Sequence, residues 1–450
     1  MNGTFWSGAR RVLGRLIFGL DPIVLMLPVA AGVGFVTAVA VEGFRGAMEL
    51  LIGLYSTHEH LVAAATDLPP LKRVLVPLLA ATTGGLIMWA GQRWVQRGHG
   101  PEYMEAIRVG DGRLPLAPNL VRTASSLPAI SGGITIGREG TMIQFAAVIS
   151  SLIGRIGRLA APQQRLIVAC GSAAGFAAAY HAPIAGALFV AEIILRGLPL
   201  REIAAVLVAA VIGELTTESL FDSGPLYLVQ SIPAVRFGDL VDISLLGLLA
   251  GFAGPAFLWL LDASRRRYQA WIGFAPVRMG LVGLLIGLLS LLRPEVWGNG
   301  YSTVQSLLVQ PWTLNAVAAV FALRLIAVTA ASAAGIPGGV LTPTLSLGGA
   351  IGLIAAQLVE LAYPALGAAP GVELSTLAGM GSLLAAITHA PAMSAILVFE
   401  MTRNYNVVIA SMPACVIASV VSHLIHHRSV YSEALGLKEE NAPGSFGPGG

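Results

Sequence analysis

Apolar runs on the scale of a membrane crossing recur along this chain. Glycine and proline interrupt them at corresponding places in its two halves. Inside a bilayer every backbone polar group must be satisfied within a helix or a closed barrel, so this pattern restricts the chain to an all-α polytopic membrane protein. Pro22–Val41 is uncharged and long enough to cross a hydrocarbon core of roughly 30 Å. Further runs occupy Val74–Ala90, Thr141–Ile156, Ile167–Tyr180, Pro183–Leu195 and Glu202–Leu215. A more polar connection, Thr216–Asp239, separates these from Leu245–Leu261, Met279–Leu292, Ala316–Ala334, Val340–Leu361, Leu374–Ile387, Pro391–Phe399 and Val407–Ile425. Several runs fall short of the roughly 17 residues that a crossing needs, which predicts tilted and partly half-spanning helices around a central site.

Charge is scarce: 11% of the 450 residues are charged, against about 25% in a typical soluble domain. The net charge of +3 is too small to point to nucleic acid. Basic residues cluster between the apolar runs, as loop charges do. Arg10, Arg11 and Arg15 precede the first run, and His426, His427, Arg428 and Lys438 follow the last. Both termini are therefore expected in the cytoplasm, with an even number of crossings and no cleavable leader. The expected organisation is a cytoplasmic segment at 1–20, a first membrane repeat at 21–225 and a connection at 226–244. A second repeat at 245–435 and a disordered cytoplasmic tail at 436–450 complete it. Asp111–Asn119 reads as a polar loop and Arg265-Arg266-Arg267 as a cytoplasmic cluster. Cys170 and Cys415 lie in apolar stretches and read as small core residues. His58, Glu59 and His60 read as exposed loop. No metal site, cofactor or enzymatic grouping is expected.

The halves are related. Ala177-Ala178-Ala179-Tyr180-His181-Ala182-Pro183 has a counterpart in Ala385-Ala386-Ile387-Thr388-His389-Ala390-Pro391. In both copies a glutamate, Glu192 or Glu400, follows nine residues after the proline. Upstream of each copy lies a glycine-rich helix start followed by a threonine, Gly137–Thr141 and Gly335–Thr342. Such repeats place a transport site at their interface. The histidines read as structural, and the glutamates as caps or partners of buried backbone N–H groups.

The most informative stretch is Ile130–Gly140, ISGGITIGREG. Its glycines let backbone N–H groups face a cavity, and the first N–H groups of a helix attract anions. Glu139 stands where an apolar helix begins, a costly place for a charge and so a functional candidate. It would act as a tethered anion at an anion site, able to occupy the site, leave it or take up a proton. Arg138 is its neighbour. Arg122 either raises the potential at the inner mouth or anchors a helix end.

The chain resembles the CLC family of chloride channels and chloride/proton antiporters, in particular a bacterial subgroup without cytoplasmic CBS domains. Gly137-Arg138-Glu139-Gly140-Thr141 looks like the family's gating-glutamate motif, and Gly338-Gly339-Val340-Leu341-Thr342-Pro343 like its second anion-binding motif. Gly98-His99-Gly100-Pro101-Glu102 is similar to the first binding loop, and Tyr431 to the tyrosine near the chain end. The resemblance implies two inverted repeats and a homodimer with one pathway per subunit. Chloride would lie against the backbone N–H groups of Glu139, Gly140, Val340 and Leu341, and the Tyr431 hydroxyl would donate to it. His99, or Gly98 with the loop shifted, takes the place where the family often carries serine. Proton-coupled members usually carry two adjacent glutamates where this chain has Glu192-Ile193, and isoleucine cannot carry a proton. The resemblance therefore favours passive, gated chloride conduction with Glu139 as gate. A chloride/proton antiporter with a non-standard inner proton route is the alternative, followed by a fluoride-selective variant. An unrelated inverted-repeat secondary transporter is the reading from another class. The expected partners are chloride, protons in the antiporter reading, membrane lipid and a second copy of the chain, in a bacterial inner membrane.

Overall fold

A computed structural model describes residues 22–435, except 59, 96–101, 198–199, 222–223, 230–231, 233–234, 363–370 and 433–434. The expected binding loop with Gly98 and His99 lies outside the described residues, as do Glu59, the N-terminal arginines, Lys438 and the C-terminal tail.

The described residues are helical, with one isolated β-bridge. The first half holds α1 (Pro22–Ile52), α2 (Leu61–Asp67), α3 (Pro70–Trp94), α4 (Tyr103–Arg108), α5 (Leu116–Ser131), α6 (Glu139–Ile156) and α7 (Ala161–Tyr180). It continues with α8 (Pro183–Leu188), which runs into a π-helical turn at Phe189–Ile194, and α9 (Leu200–Phe221). The second half holds α10 (Phe237–Trp271), α11 (Ala275–Leu292), α12 (Tyr301–Val309), α13 (Leu314–Ala333), α14 (Leu341–Ala362), α15 (Val372–Thr388), α16 (Pro391–Thr402) and α17 (Tyr405–Ile425). Eight of these are long and apolar enough to cross a membrane. Helices α8, α15 and α16 are apolar but shorter, as half-spanning elements are. Large apolar side chains such as Leu79, Phe252 and Val420 stay exposed on the spanning helices, which suits contact with lipid.

Two expected loops prove shorter. The connection between the halves does not begin at Thr216, because α9 continues to Phe221. The Thr216 hydroxyl donates to the Ile212 carbonyl at 2.7 Å, and the Thr217 hydroxyl to that of Gly213 at 3.2 Å, so these polar residues are satisfied inside the helix. Nor does the connection reach residue 244: α10 starts at Phe237, where the Asp239 carboxylate accepts from the Arg236 backbone N–H at 2.8 Å. Likewise, α5 begins at Leu116, inside the expected polar loop.

The repeat is visible in backbone geometry. His181 closes α7 and His389 closes α15, both left-handed, at φ 55° and 56°. Each is followed by a proline opening a short helix, whose fixed φ suits a first turn. The two short helices are capped reciprocally. Glu192 accepts from the N–H groups of Ala392 and Met393 at 3.3 and 2.8 Å, at the start of α16. Glu400 accepts from those of Ile184 and Ala185 at 2.9 and 2.7 Å, at the start of α8. Each half thus supplies the anion that the other half's helix dipole requires. Close helix contacts rest on glycine: a Cβ on Gly348 of α14 would lie 2.4 Å from the Gly379 carbonyl oxygen of α15.

Candidate functional site

The two glycine-rich segments that precede α6 and α14 meet. The Gly137 N–H donates to the Gly339 carbonyl and the Gly339 N–H to that of Gly137, both at 2.7 Å. Glycine is required for the approach, since a Cβ on Gly140 would lie 2.7 Å from the Gly339 nitrogen. Both helices begin two residues beyond the bridge, at Glu139 and Leu341. Their first N–H groups have no intrahelical partner, and no side chain caps α6. Two partial positive charges are therefore brought to one place, where an anion is favoured.

That place is reached by the carboxylate of Glu139 itself, which is 1% exposed. Its Oε2 accepts from the Thr342 hydroxyl at 2.7 Å, and its Oε1 from the Asn299 side-chain amide at 2.7 Å. Arg138 Nε stands 3.5 Å from Oε1. The carboxylate folds back over Gly137, where a Cβ would lie 2.8 Å from Oε2. The Tyr180 hydroxyl is 3.0 Å from Thr342 Oγ1. Since the single Thr342 hydroxyl proton is committed to Glu139, Tyr180 must be the donor. A small crevice of about 70 Å³ opens beside the carboxylate, lined in part by His60, Arg138, Asn299 and Tyr301.

Asn299 is fixed by the loop that carries it. Gly298 donates to the Gly133 carbonyl at 2.9 Å, and the Thr135 hydroxyl donates to that of Val296 at 2.6 Å. Arg324, 1% exposed, donates to the carbonyls of Glu295 and Gly298 at 2.6 and 3.3 Å, and to Ser346 Oγ at 2.9 Å. Gly300, at φ 117°, approaches this guanidinium so closely that a Cβ would lie 2.7 Å from Nη2.

The other candidate residues are distributed as follows. Leu341 is buried and Val340 half-buried beside the bridge, where their amides are what an ion could use. Tyr431 follows a segment held by the Val430 N–H donating to the Ile387 carbonyl at 2.9 Å. Its ring meets Phe189 edge-on at 5.9 Å, Phe189 stacks on Phe176 at 4.9 Å, and Phe176 lies 4.6 Å from Tyr180. A run of aromatic rings thus joins the neighbourhood of Glu139 to Tyr431. Ile193 is buried in the π-helical turn. Arg122 pairs with Glu102 at 3.6 Å, at a half-exposed position. Asn299, Tyr180 and Arg324 escaped the sequence reading. Their only sequence signals are a polar asparagine between two glycines, a lone arginine in an apolar run and a tyrosine directly before a repeated His-Ala-Pro.

Fold and site together define a helical membrane protein built from two inverted halves, with an anion-attracting centre where they meet. Residues 79–423 match the family described as voltage gated chloride channel, and the chain belongs to that family. It is 41% identical over 421 residues to a ClcB-like protein of Ralstonia nicotianae, covering 92% of this chain and 98% of the relative. It is 42% identical over 416 residues to the voltage-gated ClC-type chloride channel ClcB of Escherichia coli, covering 90% and 98%. Among solved structures, a slow cyanobacterial Cl⁻/H⁺ antiporter shares the fold with a TM-score of 0.81 at 24% identity, covering 93% of this chain and 98% of that one.

Proposed function

We propose that the protein conducts chloride passively across a bacterial inner membrane, gated by Glu139. One observation carries the reading: a carboxylate tethered to the chain occupies the point where the starts of α6 and α14 converge. An anion that binds there must displace it. In the closed arrangement Thr342 and Asn299 donate to the carboxylate, and the bonds are charge-assisted. On opening, the Glu139 side chain swings off Gly137, and the freed Thr342 hydroxyl and helix N–H groups turn to chloride. Val340, Leu341 and Gly140 contribute amides, and Tyr431 contributes a hydroxyl from the inner side. Arg138 keeps the outer approach positive.

Conduction rather than exchange is favoured by Ile193, a buried apolar side chain at the position where, by the resemblance, proton-coupled members usually carry a glutamate. Its neighbour Glu192 is engaged in capping α16. The functional unit is a homodimer with one pathway per subunit and both termini in the cytoplasm. The test is flux from liposomes loaded with chloride and containing the purified protein. Opening a potassium shunt should release chloride with no accompanying proton uptake. Uphill proton uptake driven by the chloride gradient would overturn the proposal in favour of an antiporter.

A further inference from the structure

Far from the gate in sequence, α10, α11 and α13 line an open cavity of about 730 Å³. Its wall is apolar, with Leu260, Leu285, Leu325 and Ile326 contributed by the three helices. Ser264, Arg267, Tyr268 and Thr329 break that character, and two of them matter most. Among the described residues, Arg267 is the only charged side chain that lines the cavity, and no acidic side chain lines it. Thr329, 7% exposed, also lines it, and its hydroxyl has no hydrogen-bond partner. An unpaired buried hydroxyl is costly, so its position against a cavity points to an occupant with acceptors.

The basic character continues around the same end. Arg266 adjoins Arg267 on the last turns of α10, and Arg278 lies on the first turn of α11. This rim is ordered. The Tyr268 hydroxyl donates to the Arg278 carbonyl at 3.0 Å, Arg278 Nε donates to the Ala334 carbonyl at 2.8 Å, and Arg265 donates to Ser332 Oγ at 3.3 Å. The ends of the three helices are thus fastened into a positive collar above an oily slot. From Arg267 to Leu260 the slot descends two helical turns, roughly 10 Å. A positive collar over apolar walls between membrane helices complements a molecule with an anionic head and hydrocarbon tails.

We propose that this cavity is a binding site for an anionic phospholipid. The headgroup phosphate is held by Arg267, an ester oxygen accepts from Thr329, and an acyl chain lies along Leu260, Leu285 and Ile326. The site stands apart from the anion pathway, and nothing in it depends on how Glu139 works. A free phosphate would satisfy the collar but leave the apolar slot unfilled.

Native mass spectrometry of the full chain in detergent tests this. Phosphatidylglycerol and phosphatidylcholine with identical acyl chains are supplied in equal amounts. The wild type should retain the anionic lipid by roughly fivefold over the zwitterionic one, the weight of one arginine near an anionic headgroup. Arg267→Ala should abolish that preference and Arg267→Lys should keep most of it, while Arg155→Ala, exposed at the end of α6 and outside the site, keeps it whole. Ile326→Trp, which fills the slot, should cost retention of both lipids. Glycerol phosphate should not displace bound lipid. Equal retention of the two lipids by the wild type, an undiminished preference in Arg267→Ala, or displacement by glycerol phosphate would overturn the proposal. Arg267 is exposed, so its variants keep the test decisive even where Ile326→Trp fails to fold.

Discussion

The Glu139 carboxylate accepts one hydrogen bond on each oxygen, and both donors come from the second half of the chain: Thr342 at the start of α14 and Asn299 before α12. A hydrogen bond to a charged group contributes roughly 1.5–3 kcal/mol, so removing the Asn299 amide should shift the closed–open balance toward open about ten- to a hundredfold. Single-channel or bulk efflux from Asn299→Ala should show this gain at unchanged anion selectivity. An unaltered open fraction would mean that Asn299 does not hold the gate. Glu139→Ala should go further, leaving the pathway open and removing the pH dependence of efflux between acid and neutral buffer. A pH response that survives in this variant would place the gate elsewhere. Tyr431→Phe should weaken chloride binding, measured by calorimetry, by no more than the same 1.5–3 kcal/mol. Equal affinity would take the hydroxyl out of the site.

The short helices pose a different problem. Helices α8 and α16 begin inside the protein, where water cannot satisfy their first N–H groups. Glu400 and Glu192 do so from across the repeat boundary. Replacing either by alanine leaves two backbone donors at a helix start unpaired, a loss of about 0.5–2 kcal/mol by the measure of helix caps. Thermal unfolding in detergent should therefore drop for Glu400→Ala, which alters an 8% exposed position, at least as far as for Glu192→Ala. An unchanged unfolding temperature would show that the crossed capping adds nothing. The same carboxylates, which the sequence marks only by their spacing after each His-Ala-Pro, join the two repeats to one another.

For the molecule as a whole, the two helix starts that meet at Glu139 come from the two halves of a single chain. If the protein is a dimer in which each subunit carries its own gate, detergent-solubilised protein should have the mass of two 46.6 kDa chains by light scattering. Mixed dimers of wild type and Glu139→Ala should then show one gated and one permanently open conductance that add independently. A single, intermediate gating behaviour would instead mean a shared pore.

Much of this was legible in the residues. Scarce charge and apolar runs dictate a helical membrane protein, because a bilayer tolerates no unpaired backbone. The glycines around Glu139 and before Val340 mark two helix starts that attract anions, and the HAP…E echo reveals two related halves. Those features depend on local chemistry, and local chemistry is written in order along the chain. That Gly137 pairs with Gly339, that Asn299 reaches Glu139 across 160 positions, and that each half caps the other are pairings between distant segments. Pairings of that kind depend on how helices cross and where glycines let them touch, so only the folded chain decides them.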